Sequence, residues 1–194
     1  MTAAPARHEV VLVRHGETEW TILGRHTGRS DIPLTAAGRQ EARRLAVRLA
    51  ARPFALVLSS PSARALETAR LAGFDDRVVT SVDAAEWDYG DYEGRTTADV
   101  HAERPDWSLW RDGCPGGEDA TQVGARADRV IAAVRAVDGD AIVFSHGHFL
   151  RVFAARWVEL APADGARFAL DPASVSVLGW ERATPVFRRW NDTA

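Results

Sequence analysis

Two histidines and two arginines stand where short apolar runs come to an end. Val10-Val11-Leu12-Val13 leads into Arg14-His15-Gly16, Leu56-Val57-Leu58-Ser59 leads into Ser60-Pro61 and a segment carrying Arg64, and Ala141-Ile142-Val143-Phe144 leads into Ser145-His146-Gly147. Singly, each has a plain explanation, a solvated arginine or a locally bonded histidine. Gathered beyond the ends of neighbouring strands, they make a cationic pocket in a chain whose formal net charge is −3. Such a pocket suits a phosphoryl group, because a guanidinium offers a rigid fork of donors and stays charged at any working pH. An imidazole with one nitrogen fixed by a backbone hydrogen bond can attack phosphorus with the other, while a second histidine and the arginines stabilise charge on the oxygens in flight. A carboxylic acid must then protonate the leaving oxygen.

Positioning these groups requires a sheet. The three apolar runs read as buried strands of a mostly parallel sheet. A helix is expected from Leu34-Thr35 to about Arg52, with Thr35 as N-cap, and a second from Ser60-Pro61 through Arg64, Thr68 and Leu71. Val78-Val79 reads as a short strand, Thr97 to Arg104 as a helix, Asp119 to Val137 as a long amphipathic helix, and Phe149 to Phe153 as helical. Ser174 to Glu181 and Val186 to Trp190 read as edge strands. Alternating strands and helices imply a three-layer α/β/α sandwich with ligands beyond the strands' carboxyl ends at a topological switch point. One domain accounts for residues 1–194.

The composition, 46% hydrophobic and 26% charged with seven Trp, is that of a folded globular chain. The slight acidity argues against a nucleic-acid partner. No run approaches the roughly 20 apolar residues of a membrane span, and Met1 to Glu9 lack a secretory leader's apolar stretch, so no membrane partner and a cytoplasmic location are expected. Cys114, the one cysteine, excludes an intramolecular disulfide and reads as a loop thiol without a role. His15 and His146 make poor metal ligands, since no acid stands at metal-site spacing and two arginines beside them would repel a cation. Neither a metal nor an organic cofactor is expected.

Val13-Arg14-His15-Gly16-Glu17-Thr18-Glu19-Trp20 closely resembles the signature of the histidine phosphatase superfamily, the group that includes cofactor-dependent phosphoglycerate mutases. The resemblance continues in family order through Thr27-Gly28, Pro33-Leu34-Thr35, Ser59-Ser60-Pro61 with Arg64, Glu86 to Gly94, Pro115-Gly116-Gly117-Glu118 and Ser145-His146-Gly147. It implies a phosphoglycerate mutase-like sandwich in which His15 becomes phosphohistidine, Arg14, Arg64 and His146 hold the phosphoryl oxygens, and Glu86 donates the proton. It also implies substrate contacts from Thr27 and Gly28, although a loop cap explains that pair equally, and a donor from the backbone N–H of Gly147 at a helix start. Glu17 and Thr18 then orient their neighbours, and Ser59 touches phosphate or caps the helix of Arg64.

Thr21 stands where mutases of the family carry Asn, and neither the loop after Glu93 nor His146-Gly147-His148 follows the mutase pattern. Hydrolysis of a small phosphorylated metabolite is therefore favoured, the segments Tyr89 to Thr97 and Trp107 to Glu118 resembling actinobacterial acid phosphatases and sedoheptulose-bisphosphatase-like relatives. The alternatives are a bisphosphoglycerate-dependent mutase, a phosphoprotein phosphatase acting on phosphohistidine or phosphotyrosine, and a non-catalytic phosphate-binding regulator. Arg95 and Arg111 either bind a second phosphate or lie in solvent. Trp157, Val158 and the strand near Val177 serve either a homodimer or the core.

Overall fold

In the computed structural model, which describes residues 8–193, side-chain alternation along β1 (Val10–Arg14) divides the core in two. Val10 and Leu12 face one side with Leu58, Ala141 and Val143, whereas Val11 and Val13 face the other with Val57, Ile142 and Phe144. Residues 1–7, where the absence of a leader was read, lie outside the described residues. Six strands form one sheet in the order β3-β2-β4-β1-β5-β6, comprising β1, β2 (Leu56–Ser59), β3 (Val78–Thr80), β4 (Ala141–Ser145), β5 (Val175–Glu181) and β6 (Thr184–Asp192). The first four in that order run parallel and the last two pair antiparallel.

Among the described residues seven α-helices accompany the sheet, together with short 3-10 turns: α1 (Glu19–Ile22), α2 (Ala36–Leu49), α3 (Ala63–Leu71), α4 (Thr97–Glu103), α5 (Leu109–Asp112), α6 (Ala120–Arg135) and α7 (Gly147–Trp157). Helices α2 and α3 cover one face of the sheet through Leu45, Leu49 and Ala69, with Ala72 at the C-cap of α3 beside them. Helices α6 and α7 cover the other through Val123, Val130, Phe149 and Phe153, and the α4–α5 segment packs on that side through Val100, Trp107 and Leu109. The expected three-layer sandwich is what the chain builds. Thr35 caps α2, its hydroxyl accepting from the Gly38 N–H at 3.0 Å, and Asp119 and Gln122 form a reciprocal capping box on α6.

The chain leaves β1 toward α2 on one face and leaves β4, its parallel neighbour, toward α7 on the other. The crevice at their carboxyl ends is therefore the switch point of the sheet. Val10↔Ala141 through Arg14↔Ser145 are in register, so the residues that follow, His15 and His146, emerge side by side.

Two expectations change. Ser174 to Glu181 was expected at a sheet edge, but β5 lies between β1 and β6. Its burial on both faces, at Val175, Ser176, Leu178 and Gly179, belongs to an interior strand, and alternation alone carries no information on sheet order. Trp157 is core, 1% exposed with its indole N–H donating to the Gly179 carbonyl, so it offers no surface to a homodimer; Val158 and Val177 are partly buried against the core. No helix among the described residues is long and apolar enough to cross a membrane.

Candidate active site

His15 is the first residue after β1. Its Nδ1 lies 2.8 Å from the Gly16 carbonyl, which can only accept, so Nδ1 carries the ring proton and Nε2 keeps its lone pair. The loop that holds it depends on a close approach: a Cβ on Gly16 would meet the Gly38 carbonyl oxygen at 2.5 Å, so the start of α2 lies directly on the signature turn. Thr68 of α3 fastens the turn from below, accepting from the Gly16 N–H and donating to the Arg64 carbonyl.

His146, the first residue after β4, is the N-cap of α7, and its ring centroid lies 5.1 Å from that of His15. Its Nε2 is 2.7 Å from the Ser60 hydroxyl and 3.3 Å from that of Ser62. The Ser60 hydroxyl also accepts from the Ser62 amide, so the two serines hold Nε2 of His146 and leave its Nδ1 as the ring nitrogen that faces an incoming group. Burial first, then the charges of Arg14 and Arg64, hold His15 well below the usual histidine value. Burial and then Arg64 do the same to His146. Both rings are neutral at pH 7, the state a nucleophile and a hydrogen-bond donor require.

Arg14 donates to the Leu170 carbonyl and lies against α7, where a Cβ on Gly147 would meet its Nε and Cζ at 3.3 Å. Arg64 is wholly buried and donates to the carbonyls of Ser30, Thr27 and Gly28 at 2.8, 3.0 and 3.2 Å. Burial is the main influence lowering both guanidinium values from the arginine norm. Five buried side-chain polar atoms among the described residues have no partner: Arg14 Nε, Arg64 Nε, His146 Nδ1, His26 Nε2 and Ser174 Oγ. Three of the five belong to the groups gathered around His15. An unpartnered buried donor costs about 1–3 kcal/mol, so three in one place mark a ligand position.

Glu86 follows a tight turn and lines a cleft of about 530 Å³ together with His146, Ser60, Gly28, Arg29 and Asp88. Its carboxylate accepts from the backbone N–H groups of Trp87, His148 and Phe149 at 2.9, 3.1 and 2.8 Å. The acid thus caps the helix whose first residues carry His146 and Gly147. Arg126 supports this loop, donating to the carbonyls of Asp83, Ala85 and Glu86 and pairing with Glu118 at 2.7 Å.

The remaining expected residues divide. Thr27 and Gly28 meet the site through their main chain: both carbonyls accept from Arg64, and the Gly28 N–H donates to Glu93. Gly147 opens α7 against Arg14. Glu17 accepts from the Thr35 hydroxyl at 2.7 Å, and Thr18 caps α1 in a box with Thr21. Ser59 donates to the Ser60 carbonyl and caps nothing; α3 begins after Ser62. Arg95 pairs with Glu103 at 2.8 Å and Arg111 with Asp112 at 2.7 Å, so both sit in surface ion pairs. Cys114 is buried, and desolvation pushes its thiol up to about 12.

Ser60 was not anticipated, yet the sequence holds its signal: like His15 and His146 it is the first residue after a parallel strand, and the three strands are adjacent. The 2.6 Å contact between the Tyr89 hydroxyl and His148 Nδ1 had no such signal, since it joins the loop after Glu86 to the first turn of α7. Among the described residues no group of three or more His, Cys, Asp or Glu is placed to hold a metal ion.

The family model described as the histidine phosphatase superfamily, branch 1, matches residues 10–193. An acid phosphatase of Mycobacterium tuberculosis is 44% identical over 178 residues, covering 90% of this chain and 87% of that protein. Sedoheptulose 1,7-bisphosphatase of Saccharomyces cerevisiae is 37% identical over 183 residues, covering 77% and 67%. The solved structure of a M. tuberculosis open reading frame product superposes with a TM-score of 0.90 at 40% identity, covering 95% of this chain and 97% of that one.

Proposed function

The chain belongs to the histidine phosphatase superfamily and is a phosphoric monoester hydrolase acting on a small phosphorylated metabolite; we propose that it works through a phosphohistidine at His15. The observation that carries this reading is the set of three unpartnered nitrogens, Arg14 Nε, Arg64 Nε and His146 Nδ1, buried around an imidazole whose tautomer leaves Nε2 free. Those three donors bind the phosphoryl oxygens. His15 Nε2 attacks phosphorus, the phosphorus–oxygen ester bond breaks, and Glu86, which enters this step as the protonated acid, gives its proton to the leaving alkoxide. Water then attacks the phosphohistidine, Glu86 takes the proton back, and His15 returns as neutral imidazole with release of inorganic phosphate.

The substrate of this reading is a sugar phosphate or similar phosphomonoester that enters the cleft beside Glu86. The enzyme needs no metal, since Arg14 and Arg64 supply the positive charge and would repel a cation. It acts as one domain in the cytoplasm, a reducing compartment being compatible with the single buried thiol. The test is phosphate release from a panel of sugar phosphates and other phosphomonoesters, with EDTA present, by wild type and His15→Ala. Release from some members that falls at least about 10⁴-fold in the variant is expected. Interconversion of phosphoglycerates without release, or activity lost to EDTA and restored by Zn²⁺ or Mg²⁺, would overturn the reading.

A further inference from the structure

Arg64 presents a physical difficulty. A wholly buried guanidinium needs its donors satisfied, but a carboxylate in direct contact would neutralise the charge and compete with the phosphoryl group. Its terminal nitrogens donate instead to the carbonyls of Thr27, Gly28 and Ser30. On the far side of the same loop stands Glu93, whose carboxylate accepts from the Gly28 N–H through both oxygens at 3.0 Å and from the Ser30 N–H at 3.0 Å.

The peptide group between Thr27 and Gly28 therefore has its carbonyl on Arg64 and its N–H on Glu93. One planar unit spans the two charges, with its dipole aligned favourably to both. Gly28 makes the approach possible: a Cβ there would meet a Glu93 carboxylate oxygen at 2.8 Å and the Trp87 carbonyl at 2.6 Å. The loop is also tied down beside this point, the His26 N–H donating to the Arg95 carbonyl and the Gly94 N–H to the His26 carbonyl.

We propose that Glu93 is a positioning residue for phosphoryl binding: by drawing the Gly28 and Ser30 amides to itself it turns the Thr27 carbonyl onto Arg64, pins the segment whose Gly28 and Ser30 carbonyls complete the set, and so fixes the plane of that guanidinium, leaving Nε for the phosphoryl oxygen. Arg64 is thereby oriented by a carboxylate that never touches it, and its charge stays available to substrate. This inference rests on the assignment of Arg64 to the phosphoryl pocket.

The experiment is a double-mutant cycle read by isothermal titration with inorganic phosphate, alongside kcat and KM on one phosphomonoester. Glu93→Ala should weaken phosphate binding about tenfold, and Glu93→Gln, which keeps one acceptor oxygen, by less. Glu93→Asp should recover part of the loss. In an Arg64→Lys background, where an ammonium cannot span three carbonyls, Glu93→Ala should cost little more. An unchanged affinity in Glu93→Ala, or the same fold-loss with and without Arg64, would overturn the proposal. If Glu93→Ala does not fold, Glu93→Gln carries the cycle. Failure of the wild type to hydrolyse any ester would break the functional reading and leave the coupling measurable, whereas additive losses in an active enzyme would sink this inference alone.

Discussion

Two regions of this molecule gather arginines on opposite sides of their own charge balance. Behind the sheet, Arg48, Arg52, Arg188 and Arg189 rim a groove with Val175 and Val177, and each faces a carboxylate: Arg52 meets Glu9 and Asp140 at 2.6 Å, Arg189 and Arg48 meet Asp192 at 2.6 and 3.0 Å, and Arg188 meets Glu181 at 3.5 Å. At the carboxyl ends of the strands, Arg14 and Arg64 donate to carbonyls, and each keeps a buried Nε without a partner. The residue type is the same, and the difference lies in what the fold withholds. Paired arginines solvate a surface; buried ones denied a carboxylate are held ready for an anion that the chain does not itself supply.

That contrast can be broken experimentally. Arg14→Ala or Arg64→Ala should lower kcat/KM by about 10³-fold, as losing a donor to transition-state charge does elsewhere. Glu86→Gln should cost about 10²-fold on an alkyl phosphate and much less on a nitrophenyl phosphate, whose leaving group needs no proton. The same change should also lower Tm, because an amide cannot accept all three N–H groups that the carboxylate now takes. If leaving-group acidity makes no difference, Glu86 is a cap and not the acid.

Acid should act on the two regions differently. Burial holds His15, His146 and His148 well below the ordinary histidine value of 6.5. As pH falls through that value the unfolded chain takes up protons that the folded chain refuses, so the stability these rings contribute is present above about pH 6.5 and lost below it. Thermal melts from pH 7.5 down to 5 should show a falling Tm, and a flat or rising profile would mean that these rings are not neutral in the fold. Arg188→Ala or Arg189→Ala, the smallest expected effect, should leave kcat/KM within about twofold and shift stability by no more than about 1 kcal/mol. A large loss of activity there would erase the distinction between the two regions.

The pocket was legible in the sequence because its main members sit at strand ends, where an apolar run stops against an arginine or a histidine. The helix from Thr35 was legible through its cap and the one from Asp119 through its apolar spacing, whereas the Thr96 cap of α4 was not read. What escaped depends on partners from distant segments. Nothing local in Ser174 to Glu181 says that β1 will pair with it, and nothing in the Glu86 loop says that its acid will reach the amides of His148 and Phe149. For Thr27 and Gly28 the resemblance offered substrate contact and the local pattern a loop cap, but side-chain types could not show that their main chain is shared between Arg64 and Glu93.

The sheet order carries a consequence for how the protein comes into being. β1 is made early, yet its neighbours are Ala141–Ser145 on one side and Val175–Glu181 on the other. The Arg14 and Ala173 amides bond the Ser174 and His15 carbonyls, so the signature turn is also tied to the last part of the chain. During synthesis the segment bearing His15 therefore leaves the ribosome long before the strands that flank it exist, and its apolar residues wait unpaired. A nascent chain halted before β4 carries His15 without the His146 that stands beside it in the fold.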